Sequence, residues 1–117
     1  MANPNIVDVA TINGNTTVQA VGTSATAIVT NAAASGKIYK VNLLVVSNID
    51  GTNNADVTVD LYRSSTAYHI AKTVMVPADA SLDVLSKPLY LLEGDALRLT
   101  ANATGDLEAV CSFEEIS

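Results

Sequence analysis

Leu89-Tyr-Leu-Leu-Glu-Gly-Asp-Ala-Leu-Arg-Leu-Thr-Ala-Asn-Ala-Thr-Gly-Asp-Leu-Glu-Ala-Val-Cys-Ser-Phe-Glu-Glu115 decides the fold class. Two runs alternate apolar with polar residues, and a Gly-Asp pair precedes each. In the first, Leu97, Leu99 and Ala101 share one face while Arg98 and Thr100 share the other. In the second, Leu107, Ala109, Cys111 and Phe113 face one way, and Glu108, Ser112 and Glu114 the other. A period of two makes each run a β-strand with one buried face. Residues 102–106 between them contain the glycine that a tight turn needs for positive φ, so the spacing predicts a C-terminal β-hairpin. Nothing in it suggests chemistry.

Working outward, the 117 residues suffice for one domain. Charged residues make up 15% of the chain, against about 25% in an average globular protein. Ala, Val, Thr, Ser and Asn fill the difference. A chain this short of charge is expected to lay much of its neutral surface against other copies or another protein, since interface cores are depleted of charge. The net charge of −6 and the dispersal of Lys37, Lys40, Arg63, Lys72, Lys87 and Arg98 argue against a nucleic-acid partner. No window reaches the roughly 18 unbroken apolar residues of a membrane span. Met1-Ala2-Asn3-Pro4 lacks the basic and apolar regions of a signal peptide and reads as a mature cytosolic terminus.

The first 36 residues carry one charged side chain, Asp8. Residues 6–12 read as a strand apolar on both faces, Asn13-Gly14-Asn15 as a turn, and residues 17–21 and 25–30 as two further short strands. Such β-prone, nearly uncharged strands must be covered. They lie either in the domain's own sheets or along a neighbour, and an arm is favoured for the first dozen residues. Residues 37–48 form the strongest strand. Tyr39, Val41, Leu43 and Val45 line one face, and Leu44 and Val46 make the other apolar too, as expected for a central or interface strand. Strands follow at 57–62, 68–76 and 81–85, with turn signals about every 8–12 residues in the manner of a sandwich or jelly roll. The expected fold is all-β: a single antiparallel β-sandwich or jelly-roll-like domain with an extended N-terminal arm. Residues 1–35 would hold the arm and first strands, and residues 36–117 the body. The expected interface residues are Ile6, Val7, Val9, Ile12, Val18, Val21, Ile28, Leu44 and Val46.

No catalytic, cofactor-binding or metal-ligating set emerges, and the chain is expected not to be an enzyme. His69 is the only histidine and Cys111 the only cysteine, so neither a transition-metal site nor a disulfide can be assembled within the chain. Cys111 shares a phase with Leu107, Ala109 and Phe113, which predicts a buried, inert thiol. Glu93-Gly94-Asp95 and the loop around Asp50 lack the spacing of a preformed Ca²⁺ cage and read as turns. Trp is absent and the four Tyr are scattered, so there is no aromatic platform for a sugar. Six acids against one Arg98 from Glu93 onward predict an acidic, wet end.

Met1-Ala2-Asn3-Pro4-Asn5-Ile6-Val7 with Asn13-Gly14, Ser35-Gly36-Lys37-Ile38-Tyr39-Lys40-Val41, and Leu91-Leu92-Glu93-Gly94-Asp95-Ala96-Leu97-Arg98-Leu99-Thr100-Ala101 resemble small virion structural proteins of tailed bacteriophages. The likeness is greatest to cyanophage and other marine types. It implies no catalytic residue. It implies a virion location, reached in the host bacterial cytoplasm, and a role as a capsid decoration (cement) protein that bridges major capsid proteins. Homo-oligomers, trimers foremost, go with that role. A neck, head–tail or tail ring component is the alternative. A glycan- or receptor-binding module on the virion surface is the alternative of another class.

Overall fold

The computed structural model describes residues 10–117. Nine strands form in chain order: β1 (Ile12–Ala20), β2 (Thr26–Thr30), β3 (Ile38–Asn48), β4 (Ala55–Arg63), β5 (Thr66–Val76), β6 (Ser81–Asp83), β7 (Leu89–Leu91), β8 (Ala96–Ala101) and β9 (Leu107–Ile116). No helix occurs among the described residues. One sheet has the order β1-β9-β3-β6, with β7 also pairing β3, and the other has the order β2-β8-β4-β5. Every pairing is antiparallel. The short β6 and β7 share one edge of β3, β6 on Val45 to Ser47 and β7 on Tyr39 to Val41. The chain thus crosses repeatedly between the two antiparallel sheets of a sandwich.

The core lies between the sheets and is aliphatic. Val41, Leu44, Val46, Leu107, Ala109, Cys111 and Phe113 come from the first sheet, and Ile28, Val29, Val57, Val59, Leu97, Leu99 and Ala101 from the second. Tyr39 stacks on Phe113 at 5.5 Å between ring centroids. Truncating a residue as enclosed as Leu97 or Leu44 leaves a cavity that β-sheets on both sides cannot collapse into.

Alternation foretold the buried faces of the 89–115 stretch, but not the pairing. β8 and β9 do not form a hairpin. β8 pairs with β2 and β4, β9 with β1 and β3, and residues 102–106 carry the chain from one sheet to the other. A period of two says which side chains turn inward; it does not say which strand lies alongside. Asn13-Gly14-Asn15 is likewise no turn. It runs inside β1, where an unbroken nine-residue register with β9 supplies ladder bonds that outweigh the local preference.

The two-faced apolar character of residues 37–48 has a local cause. The β3–β9 register shifts between Val41 and Leu43, leaving Asn42 as an extra residue. A bulge reverses the phase of every side chain beyond it. Tyr39 and Val41 therefore point inward before it, and Leu44, Val46 and Asn48 after it. Leu43 and Val45, expected on the face of Val41, turn outward.

The β4–β5 hairpin closes with Arg63 opposite Thr66, leaving a two-residue turn of Ser64 (φ 51°) and Ser65 (φ 59°). Positive φ at both positions is the type I′ geometry that favours Asn-Gly. Ser64→Asn combined with Ser65→Gly should raise the unfolding free energy by about 1 kcal/mol, read from the urea midpoint at constant m.

Candidate assembly interface

The two outward faces of the sandwich differ in kind. On the β2-β8-β4-β5 sheet, Asp60 of β4 lies opposite Arg98 of β8. Arg98 Nε donates to Asp60 Oδ1 at 2.9 Å and Nη2 to Oδ2 at 3.3 Å, while the guanidinium stacks 3.9 Å from the Tyr62 ring centroid. Asp60 is only 3% exposed, so the long Arg and Tyr side chains lie over it. Thr58 and Thr100 flank the pair across the strands. Over β4 and β8 this face is covered by its own polar side chains, while Ile70 and Met75 on the edge strand β5 are exposed.

The outward face of the other sheet has no such cover. Its cross-strand rows follow from the registers. Val18 of β1 lies opposite Val110 of β9, which lies opposite Val45 of β3; the next row is Thr16, Ser112 and Leu43. Val18 is 76% exposed, Val110 40% and Leu43 37%. Charge returns in the rows on either side, with Glu108 next to Ala20 and Glu114 and Lys40 beyond Gly14, and at the end of the valine row, where Asp83 of β6 lies opposite Val45. Asn42 Nδ2 donates to Glu114 Oε1 at 2.9 Å within that border. An uncharged centre with a charged rim is the layout of a protein–protein interface. A shallow depression of about 320 Å³, lined by Val18, Gln19, Ala20, Glu108, Ala109 and Val110, opens onto this face and is too open to enclose a small ligand.

The expected interface residues divide three ways. Ile12 and Val18 are exposed on β1. Val21, Ile28, Leu44 and Val46 are buried in the chain's own core, where no neighbour can touch them. Apolar side chains in a neutral stretch fit an interface or a core equally well, and here the chain's own core claims them. Ile6, Val7 and Val9 lie outside the described residues, as does most of the expected arm; β1 and β2, from the 1–35 segment, each add a strand to a sheet. Sequence reasoning missed Val110, Leu43 and Val45. Val110 carried a usable signal: an apolar residue in the polar phase of β9, between Glu108 and Ser112.

The remaining polar groups hold turns. Glu93 and Asp95 are buried, so the C-terminal part is less acidic at its surface than its composition suggests. Glu93 Oε2 accepts from the Gly36 amide at 2.9 Å. Asn31, fully buried, donates from Nδ2 to the carbonyls of Lys37 and Leu91 at 2.9 and 3.0 Å. Asp50 Oδ1 accepts from the amides of Thr52 and Asn53, at 2.8 and 3.2 Å, and Oδ2 from Asn53 Nδ2 at 3.0 Å. The Thr52 amide and then the Asn53 side chain hold the Asp50 carboxyl below its ordinary value. Desolvation and the nearby Asp50 charge raise that of Asp106. Carboxylate NMR titration should show Asp50 ionising below Asp106, and Asp50→Asn should bring Asp106 down. Among the described residues, no group of three or more His, Cys, Asp or Glu is placed to share a metal ion.

His69 is exposed on β5. Cys111 is buried, and desolvation pushes its thiol up to about 11. It should resist thiol reagents at pH 7.5 in the native protein and react fully in denaturant, because only the thiolate attacks.

No protein-family profile matches the chain, and no curated protein does. Similarity lies in the fold. A subunit of the disulfide-linked pili that form Bacillus endospore appendages superposes with a TM-score of 0.55 at 16% identity, over 92% of this chain and 87% of that one. Two structures of a pentameric capsid protein from metagenomic phage sequences match at TM-scores of 0.44 and 0.43, with 19% and 21% identity. Each match covers 87% of this chain, and 60% and 62% of the capsid proteins.

Proposed function

We propose that this chain is a non-enzymatic structural subunit of a bacteriophage virion, and within it a capsid decoration (cement) protein that joins major capsid proteins. The observation that carries this reading is the uncharged double row on the β1-β9-β3 face, bordered by Glu108, Glu114, Lys40 and Asp83. The resemblance of the Asn-Gly, Ser-Gly-Lys and Glu-Gly-Asp segments to phage virion proteins supports the same class.

In this role the chain works by area rather than by chemistry. Burying apolar surface gains about 25 cal/mol per Å² before the cost of ordering the partners. Repetition over a capsid multiplies a modest contact, and simultaneous attachment slows release. A stained gel of purified virions tests the reading. Hundreds of copies per particle support decoration, about six to twelve indicate a neck or tail ring instead, and absence from the virion overturns the reading.

A further inference from the structure

We propose that β1 is a pairing strand: two copies of this chain join edge to edge through β1 about a twofold axis, merging their sheets. The proposal rests on the assembly reading above and names the contact that makes the first oligomer.

The hydrogen-bond parity of β1 is fixed at both ends. Thr11 and Ser117 exchange both backbone bonds, at 2.9 and 3.0 Å, and the Val21 amide donates to the Leu107 carbonyl at 2.9 Å. In an antiparallel ladder such pairs occur at every second residue. The odd residues of β1 therefore bond to β9. Ile12, Gly14, Thr16, Val18 and Ala20 aim their N–H and C=O groups away from the sheet. Among the described residues no strand meets them, and β1 is exposed along most of its length. Only the Thr16 amide has a makeshift acceptor, Asn15 Oδ1 at 2.8 Å.

Natural edges are usually spoiled for pairing by charge, proline, bulges or shortness. β6 and β7 are 3 residues each. β2 has 5 residues, with a register break between Ala27 and Val29. β5 carries His69 and Lys72, and its register with β4 shifts twice, around Ile70 and Thr73. β1 has none of these features: 9 residues, no charge, no proline and no shift against β9. A straight edge needs a straight edge as partner, and among the described residues only β1 itself qualifies. The partner is a second copy.

The sequence suits self-pairing. Centred on Thr16, antiparallel β1 strands place Thr16 against Thr16, Val18 against Gly14 and Ile12 against Ala20. The largely exposed Val18 would fold over Gly14 of the partner subunit, where a Cβ would meet nothing within 4 Å. Asn15 would meet Thr17 on the inner side. The merged sheets would bring the two Val18–Val110–Val45 rows onto one continuous face, doubling the area offered to a capsid.

Native mass spectrometry with amide hydrogen exchange tests this on the full chain. A mass of two copies, or a multiple of two, is expected, with Ile12, Gly14, Val18 and Ala20 amides protected at least tenfold more than in dilute monomer. Thr16→Pro removes an amide that makes no bond to β9, so the fold should persist by circular dichroism while the dimer dissociates. A trimer or pentamer, or a dimer whose even amides exchange freely, overturns the β1 seam and leaves the structural role standing. A chain that stays monomeric at 100 μM overturns the seam, and only absence from virions overturns the role.

Discussion

Alanine at Asp95 is expected to lower the unfolding free energy by about 3 kcal/mol at pH 7, and the melting temperature by roughly 10–15 °C. Asp95 is 1% exposed and lies in the turn just before β8. Its Oδ1 accepts from Arg63 Nε at 2.7 Å, and Oδ2 accepts from Arg63 Nη2 at 2.5 Å and from the Leu92 amide at 2.8 Å. Its backbone carbonyl accepts from the Asn31 amide at 2.8 Å. One carboxylate thus ties the end of β4 to the turn before β8, beside the β2–β3 connection. Removing it leaves the Leu92 amide without that acceptor and Arg63 without its bidentate partner. The Arg63 side chain is 43% exposed and can return to water, which keeps the cost at the lower end for a broken buried pair. Asp95→Asn should recover only the part owed to the Leu92 bond.

The pH dependence carries a definite sign. Burial alone would raise the Asp95 carboxyl, but the Arg63 guanidinium and the Leu92 amide outweigh it and hold it below the ordinary 3.8. A depressed folded value contributes stability that is complete above the unfolded value and lost as the pH falls through the folded one. The gap between wild type and Asp95→Ala should therefore hold from pH 7 to 5 and shrink below about 4. Urea unfolding at pH 7, 5 and 3 measures it. A gap independent of pH would show that the ionised carboxylate is not the stabilising species.

This ion pair marks where sequence reasoning stops. Arg63 and Asp95 lie at the ends of strands from different hairpin-like units, and no periodicity relates them. The Glu93-Gly94-Asp95 turn was legible because Gly94, at φ 88°, and the Asp before an apolar run have local reasons to be there. The all-β class and most strand positions were legible for the same reason. Pairing was not. Leu97 and Leu107 each announce a buried face, yet they reach it from opposite sheets. The bulge at Asn42 hid the outward turn of Leu43 and Val45, so part of the outward face read as core. Val21 and Ile28 are buried within the chain itself, yet burial against one's own sheet and against a neighbour leave the same pattern in a neutral segment.

Introducing charge at the centre of the uncharged double row should abolish assembly while sparing the fold. Val110→Asp combined with Val18→Asp is expected to weaken attachment to capsids by at least about a hundredfold, roughly 3 kcal/mol or more. Both side chains point away from the core, at 40% and 76% exposure, so the isolated chain loses little packing. They stand directly opposite each other across β1 and β9, and an acid at each would put like charges side by side. In the free protein water screens that repulsion. Under a docked partner the carboxylates would be desolvated without a cation, since Lys40 borders the Glu114 row rather than theirs. Asp83 and Glu108 nearby add to the penalty. The matched control is Thr58→Asp with Thr100→Asp, also an opposed pair, on the outward face that Arg98 and Tyr62 already cover. Binding to expanded capsids followed by sedimentation, with circular dichroism on each variant, separates the outcomes. Loss with the Val pair alone, at an unchanged oligomeric mass, locates the docking face on β1-β9-β3; equal retention by both variants would remove that face from the assembly.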